Sequence, residues 1–161
     1  MYQELVLNND PKSIISETIR TLRTNLQFAS VDKKIKTILI TSSVPGEGKS
    51  FIAANLACAF AQSGSRVLLV DCDIRKGRQH YIFNSHNKSG LSNLLLENVK
   101  EKYMDYIQET RIKNLSVMFR GVTPPNPSEL LGSSKNKELI EILRNEYDIV
   151  IFDSAPINGG L

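Results

Sequence analysis

The chain has 161 residues, 41% of them hydrophobic, enough for one domain with a real core. Its 20 Lys and Arg against 17 Asp and Glu leave a net charge of +3, too mild and too dispersed for a nucleic-acid partner. No apolar run approaches the ~18 residues of a membrane helix, Met1 to Asp10 lacks the basic-then-apolar pattern of a signal peptide, and Cys58 and Cys72 have neither metal-ligand spacing nor the numbers of a disulfide framework, which fits a reduced cytosol.

Residues 1–10 read as a flexible polar lead to a single domain over 1–161. Asp10-Pro11 has the form of an N-cap followed by proline at the first helical position, and Ile15, Ile19, Leu22, Leu26 and Ala29 recur at four- and three-residue steps. This spacing predicts an amphipathic helix over 11–29. Its polar side carries Glu17, Arg20 and Arg23, side chains on neighbouring turns that can pair locally or across an interface. A solvated charged face is the plain alternative, because exposed ion pairs are weak.

The apolar run Ile38-Leu39-Ile40 sits in a strand over 36–41, apolar on both faces like a central parallel strand, and leads into Ser43-Val44-Pro45-Gly46-Glu47-Gly48-Lys49-Ser50. A helix-like segment from Phe51 to Gln62 follows, with Gly64 as its stop. Strand, glycine-rich turn and helix make a phosphate-binding loop. Gly46 and Gly48 let the backbone approach a polyphosphate, the helix N-terminus offers N–H groups, Lys49 reaches the β- and γ-phosphates, and the Ser50 hydroxyl can ligand Mg²⁺. Ser43 stands where the usual pattern has glycine, so an ordinary glycine-rich turn with a solvated lysine is the competing reading.

Arg66 to Val70 reads as a second buried strand, ending in Asp71-Cys72-Asp73-Ile74-Arg75. An extended backbone there points Asp71 and Asp73 to one side and Cys72 to the other. In an open parallel sheet ligands bind beyond the carboxyl ends of the strands, beside the phosphate loop. One carboxylate there can hold Mg²⁺ while the other accepts a proton from an incoming hydroxyl. A capping or solvated Asp pair is the bland alternative. His80 and His86 have no partner at ligand spacing and read as surface residues. Short helices are expected from Gly90 and over Tyr103 to Glu109, and a third strand over Leu115 to Phe119. After it comes a proline-rich loop with a short Pro-Ser-Glu-Leu-Leu helix, Gly121 to Leu131. Ser134 to Glu146 is amphipathic with Leu139, Ile142 and Leu143 inward, and the strand Ile149 to Phe152 ends in Asp153. An apolar run ending in Asp downstream of a phosphate loop is a Walker B signal, with Asp153 holding Mg²⁺. The elements together predict an α/β fold: three layers, a mostly parallel sheet of the P-loop NTPase type with helices on both faces.

Ser43 to Ser50, Val67 to Arg75 and Ile149 to Pro156 resemble the Walker A, A′ and B motifs of the bacterial tyrosine kinases of capsule and exopolysaccharide clusters. In that family the first Walker A position is commonly Ala or Ser, Glu17-Arg20-Arg23 is similar to an oligomerisation motif, and Gly121 to Leu131 is similar to a Pro-Asn-Pro segment. The resemblance implies Mg-ATP-dependent phosphoryl transfer to tyrosine, of the autophosphorylating type, in the control of polysaccharide synthesis. It implies ATP contacts from Ser43, Pro45, Gly46, Glu47, Gly48, Lys49, Ser50, Phe51 and Arg75. Mg²⁺ would be held by Ser50, Asp73 and Asp153, and Asp71 would activate the tyrosine hydroxyl. It further implies tyrosine-containing protein substrates, a homo-oligomeric ring through Glu17, Arg20 and Arg23, and activation by the cytoplasmic tail of a membrane adaptor. The protein would then be cytoplasmic, recruited to the inner face of the membrane. Related partitioning and division-site ATPases carry a signature lysine at the second loop position, which is Val44 here. A switch ATPase is the second reading, and a non-catalytic nucleotide-binding remnant that binds the adaptor is the third. Family members continue beyond Walker B with further strands and a tyrosine cluster, so the resemblance implies missing C-terminal strands and a truncated chain, with Ile38-Leu39-Ile40 at an open, aggregation-prone edge.

Overall fold

The computed structural model describes residues 2–29 and 31–156. In chain order these form α1 (Val6–Asn9), α2 (Ile14–Gln27), β1 (Thr37–Ile40), α3 (Lys49–Gln62), β2 (Val67–Asp71), α4 (Gln79–Ile82), α5 (Leu91–Leu94), α6 (Val99–Lys102), a 3₁₀ turn at Tyr103–Tyr106, β3 (Gln108–Glu109), β4 (Leu115–Met118), α7 (Pro127–Leu131), α8 (Ser134–Glu146) and β5 (Ile149–Asp153). The strands pair in the order β1-β5-β2-β4-β3, parallel except for β3 against β4. The three-layer α/β expectation therefore holds.

Alternation along the strands feeds two apolar layers. Val67, Leu69, Val117 and Ile151 point to one face, where they meet α3 and Ile19 of α2, and Leu68, Val70, Met118 and Val150 point to the other, where Leu139 and Leu143 of α8 cover them. Helix α3 is buried nearly all round, from Ala53 to Ala61. This follows from its composition: alanines let α2 and α1 approach one side while the sheet takes the other.

The lead expected to be flexible is folded over residues 2–10, while Met1 lies outside the described residues. Tyr2, Leu5 and Leu7 are buried in the α3 layer, and Asn55 and Gln62 of α3 donate to the carbonyls of Glu4 and Leu7. Few apolar residues are needed to pin a segment when each is fully covered. Helix α2 starts three residues later than Pro11, because Ser13 and not Asp10 caps it, accepting from the N–H of Ser16 at 3.1 Å. Its expected apolar face is also rotated. Ser16 and Ile19 are buried with Arg23 beside them, whereas Ile15 and Leu22 are exposed.

Strand β1 is not central. It has only β5 as a neighbour among the described residues, and Leu39 is 66% exposed at this edge. The helix expected over Tyr103 to Glu109 ends at Tyr106 and gives way to β3, and His80 is buried rather than on the surface.

Candidate active site

Three strand ends deliver the residues singled out from the sequence. Pairing of β2 with β5 sets Asp71 opposite Asp153, and β1 delivers the loop of residues 41–48 alongside them. In that loop Gly46 and Gly48 have φ of +83° and +80°, a left-handed backbone that favours glycine, and nothing lies within 4 Å of where their Cβ atoms would stand. Gly48 is also the N-cap of α3, and no side chain caps that end. The loop therefore presents backbone N–H groups and the start of a 14-residue helix to open space.

That space is a cavity of about 460 Å³. Pro45, Gly46, Gly48, Lys49, Ser50 and Phe51 line it from the loop side, and Asp73 and Arg75 from the other. Ser43 and Glu47 do not line it: the Glu47 carboxylate turns back to accept from the Ser43 N–H at 3.1 Å. Lys76, Arg78 and residues 127–128 of α7 complete the wall. Residues 127–128 belong to the segment 121–131 that the resemblance picks out without giving it a role, whereas no motif singles out Lys76 and Arg78, because the cavity is assembled from segments far apart in the chain.

Lys49 Nζ donates to Asp153 Oδ1 at 2.6 Å, a contact across 104 residues in which Asp153 is fully buried. The other oxygen, Oδ2, accepts from Gln79 Nε2 at 2.8 Å. Asp71 and Asp73 share a space as the spacing predicts, but unequally. Asp73 faces the cavity, and its Oδ1 accepts from the Lys76 N–H at 3.1 Å. Asp71 is fully buried, accepting from the N–H groups of Asp73 and Gln79, and Gly77 lies so close that a Cβ there would stand 2.2 Å from Asp71 Oδ1. Burial, then the Asp153 charge beside it, push the Asp71 carboxyl up to about 8. A carboxyl raised in this way binds a proton more readily than a solvated one, and the neighbouring Asp153 carboxylate has a lysine and an amide as donors.

The residues present fit a magnesium nucleotide. The open side of Gly46 and Gly48 is the cradle a polyphosphate needs, and Lys49 supplies the matching charge. Among the described residues no three His, Cys, Asp or Glu side chains cluster as a metal cage. Mg²⁺ bound through substrate phosphates, water and one or two carboxylates asks for no such cage. Glu17, Arg20 and Arg23 are not brought to this cavity. Arg20 donates to the Pro11 carbonyl at 2.5 Å on the protein surface, and Arg23 reaches across to the Ala59 carbonyl of α3 at 3.3 Å.

Comparison with known proteins gives a consistent result. A family model described as an AAA domain matches residues 35–161. The chain is 47% identical to the tyrosine-protein kinase YwqD of Bacillus subtilis over 157 residues, 98% of this chain and 65% of that protein. It is similar to the crystal structure of the chimerical protein CapA2B2, with a TM-score of 0.91 and 47% identity over 98% of this chain and 69% of that one. The chain thus spans about two thirds of the length of these two relatives. A more distant likeness is to the septum site-determining protein MinD of Pyrococcus horikoshii complexed with Mg-ADP, with a TM-score of 0.61 and 25% identity over 79% of this chain and 50% of that one.

Proposed function

The chain belongs to the bacterial tyrosine kinases, and from that premise we propose that it transfers the terminal phosphoryl group of ATP to a tyrosine hydroxyl. Lys49 and the N–H groups at the start of α3 hold the phosphates. Ser50, Asp73 and Asp153 hold Mg²⁺, which when bound neutralises charge on the phosphates. Asp71, in its ionised form and with the loop at Gly77 shifted to admit the hydroxyl, takes the proton of the tyrosine hydroxyl. The protein's own contribution is positioning and charge neutralisation in a partly closed cavity. The observation that supports this most is the direct Lys49 to Asp153 contact beside a cavity that also holds Asp73. Two loops with complementary charges converge where a metal-bound polyphosphate needs them.

The same reading includes autophosphorylation, a role in capsule or exopolysaccharide synthesis, activation by the cytoplasmic tail of a membrane adaptor at the inner face of the membrane, and a ring formed through Glu17, Arg20 and Arg23. Among the described residues no helix is long and apolar enough to cross a membrane. A switch ATPase is the second reading, supported by the likeness to MinD. Against it stands Val44, an exposed apolar side chain at the loop position where those ATPases carry their lysine.

Incubation with Mg-ATP and a tyrosine-containing partner, followed by phosphotyrosine detection, decides between them. Transfer by the unsubstituted protein, lost in Asp71→Asn with nucleotide binding kept, is the expected result. ATP hydrolysis with no phosphotyrosine supports the switch reading, and nucleotide binding with neither supports a non-catalytic regulator.

A further inference from the structure

Gln79 opens α4 and is fully buried, yet the chemistry above gives it no part. Its Nε2 carries two hydrogens, and both are used. One goes to the backbone carbonyl of Ser50 at 3.0 Å and the other to Asp153 Oδ2 at 2.8 Å. Its backbone N–H goes to Asp71 Oδ2 at 3.2 Å. One residue therefore touches the phosphate-loop helix, the end of β5 and the end of β2, at separations of 29, 74 and 8 residues.

Two features point beyond packing. Exchanging the amide oxygen and nitrogen would set an acceptor against the Ser50 carbonyl and the Asp153 carboxylate, so the donor end is fixed by its surroundings. The amide oxygen, in turn, is buried with no hydrogen-bond partner. Such an atom is costly, and a methionine would fill the same volume without it. Packing alone does not call for glutamine here.

We propose that Gln79 is the positioning residue that keeps the Asp153 carboxylate and Ser50 in register when Lys49 turns from Asp153 to a polyphosphate; this rests on the Mg-ATP reading above. Asp153 is held from two sides, Lys49 on Oδ1 and Gln79 on Oδ2. The two holds differ in kind. Lys49 lines the open cavity on a flexible four-carbon stem and carries the charge that phosphate attracts. Gln79 is enclosed and anchored on the Ser50 carbonyl, so it stays. Ser50 and Asp153, two of the proposed magnesium ligands, are thereby tied through one side chain, and their separation no longer depends on where Lys49 is.

Replacement of Gln79 by methionine keeps length and volume and removes both donors. Titration of fluorescent ADP in chelator and then with rising Mg²⁺ reads the two contributions apart. Metal-free ADP affinity is expected to change less than about twofold, while the Mg²⁺ concentration at half-saturation rises about tenfold, the scale of one lost hydrogen bond to a charged group. A purely structural role would lower both affinities together or only the melting temperature. Equal Mg²⁺ dependence of a folded Gln79→Met and the unsubstituted protein overturns the inference alone. Absence of any metal-dependent ADP binding in the unsubstituted protein overturns the site reading with it. Should Gln79→Met not fold, the unsubstituted protein carries the test by NMR: the Gln79 side-chain amide protons are expected to exchange slowly with water both free and with Mg-ADP, and fast exchange in the loaded protein overturns the inference.

Discussion

The two loops that wall the candidate cavity answer to opposite requirements. In the phosphate loop, Gly46 and Gly48 adopt left-handed backbone and have open space where a Cβ would stand. In the loop after β2, Gly77 has no such backbone but no room either, since a Cβ would meet the Asp71 carboxyl at 2.2 Å. The first loop keeps space for something that arrives, and the second is already filled by the protein's own groups. The same residue type thus marks conformation on one side of the site and close packing on the other. This also explains why one carboxylate of the A′ pair meets the cavity and the other lies sealed behind Gly77.

The sharpest way to break this contrast is to add one methyl group to each loop. Gly77→Ala forces the Asp71 carboxyl or the loop to move and is expected to lose about 3 kcal/mol by urea denaturation. Gly46→Ala meets no atom, and only the left-handed backbone costs it, about 1 kcal/mol. Equal losses would erase the distinction. A smaller effect is expected behind the filled loop, where Arg120 Nε donates to the Gly77 carbonyl at 2.9 Å. Arg120→Ala is expected to cost about 1 kcal/mol and to speed amide exchange at Gly77 and Gln79, with the phosphate-loop amides unchanged.

The smallest expected effect is a pH dependence confined to the filled side. His80 is buried beside Phe119, and burial, then the charges of Arg120 and Arg78, hold its pKa below the ordinary histidine range. The unfolded chain titrates this group near ~6.5. Its contribution is therefore full above that value and is lost as pH falls through it toward the lower folded pKa. Denaturation midpoints measured from about pH 8 down to about pH 5 should fall further for the unsubstituted protein than for His80→Gln. Parallel curves would show that His80 does not set the acid limb.

Elements with one apolar pattern and clear punctuation were legible in the chain. Helix α8 has the bounds Ser134–Glu146 expected from its period, and β5 ends on the Asp expected there. Helix α2 shows where such reading stops. The buried side runs through Ser16, Ile19 and Arg23, because Ser16 donates its hydroxyl to the Asp10 carbonyl at 2.7 Å and Arg23 reaches the Ala59 carbonyl near the end of α3. Periodicity counts apolar residues and does not see that a small polar residue can be buried once its hydroxyl has a backbone acceptor. His80 shows the same limit, because a histidine without a partner at ligand spacing can still be buried. The phosphate loop and the three aspartates carry their chemistry in local motifs, whereas Gln79 has partners in three distant segments and no local signal.

Thermal melts with and without Mg-ATP, run beside Lys49→Ala, test the central claim most directly. Lys49→Ala leaves the buried Asp153 without its cation, so each protein is compared with its own ligand-free melt. The expected result is a metal-dependent gain for the unsubstituted protein of roughly 2.7 kcal/mol at about 100 times the dissociation constant, and none for Lys49→Ala. An equal gain in Lys49→Ala, or no gain in the folded unsubstituted protein, would contradict it.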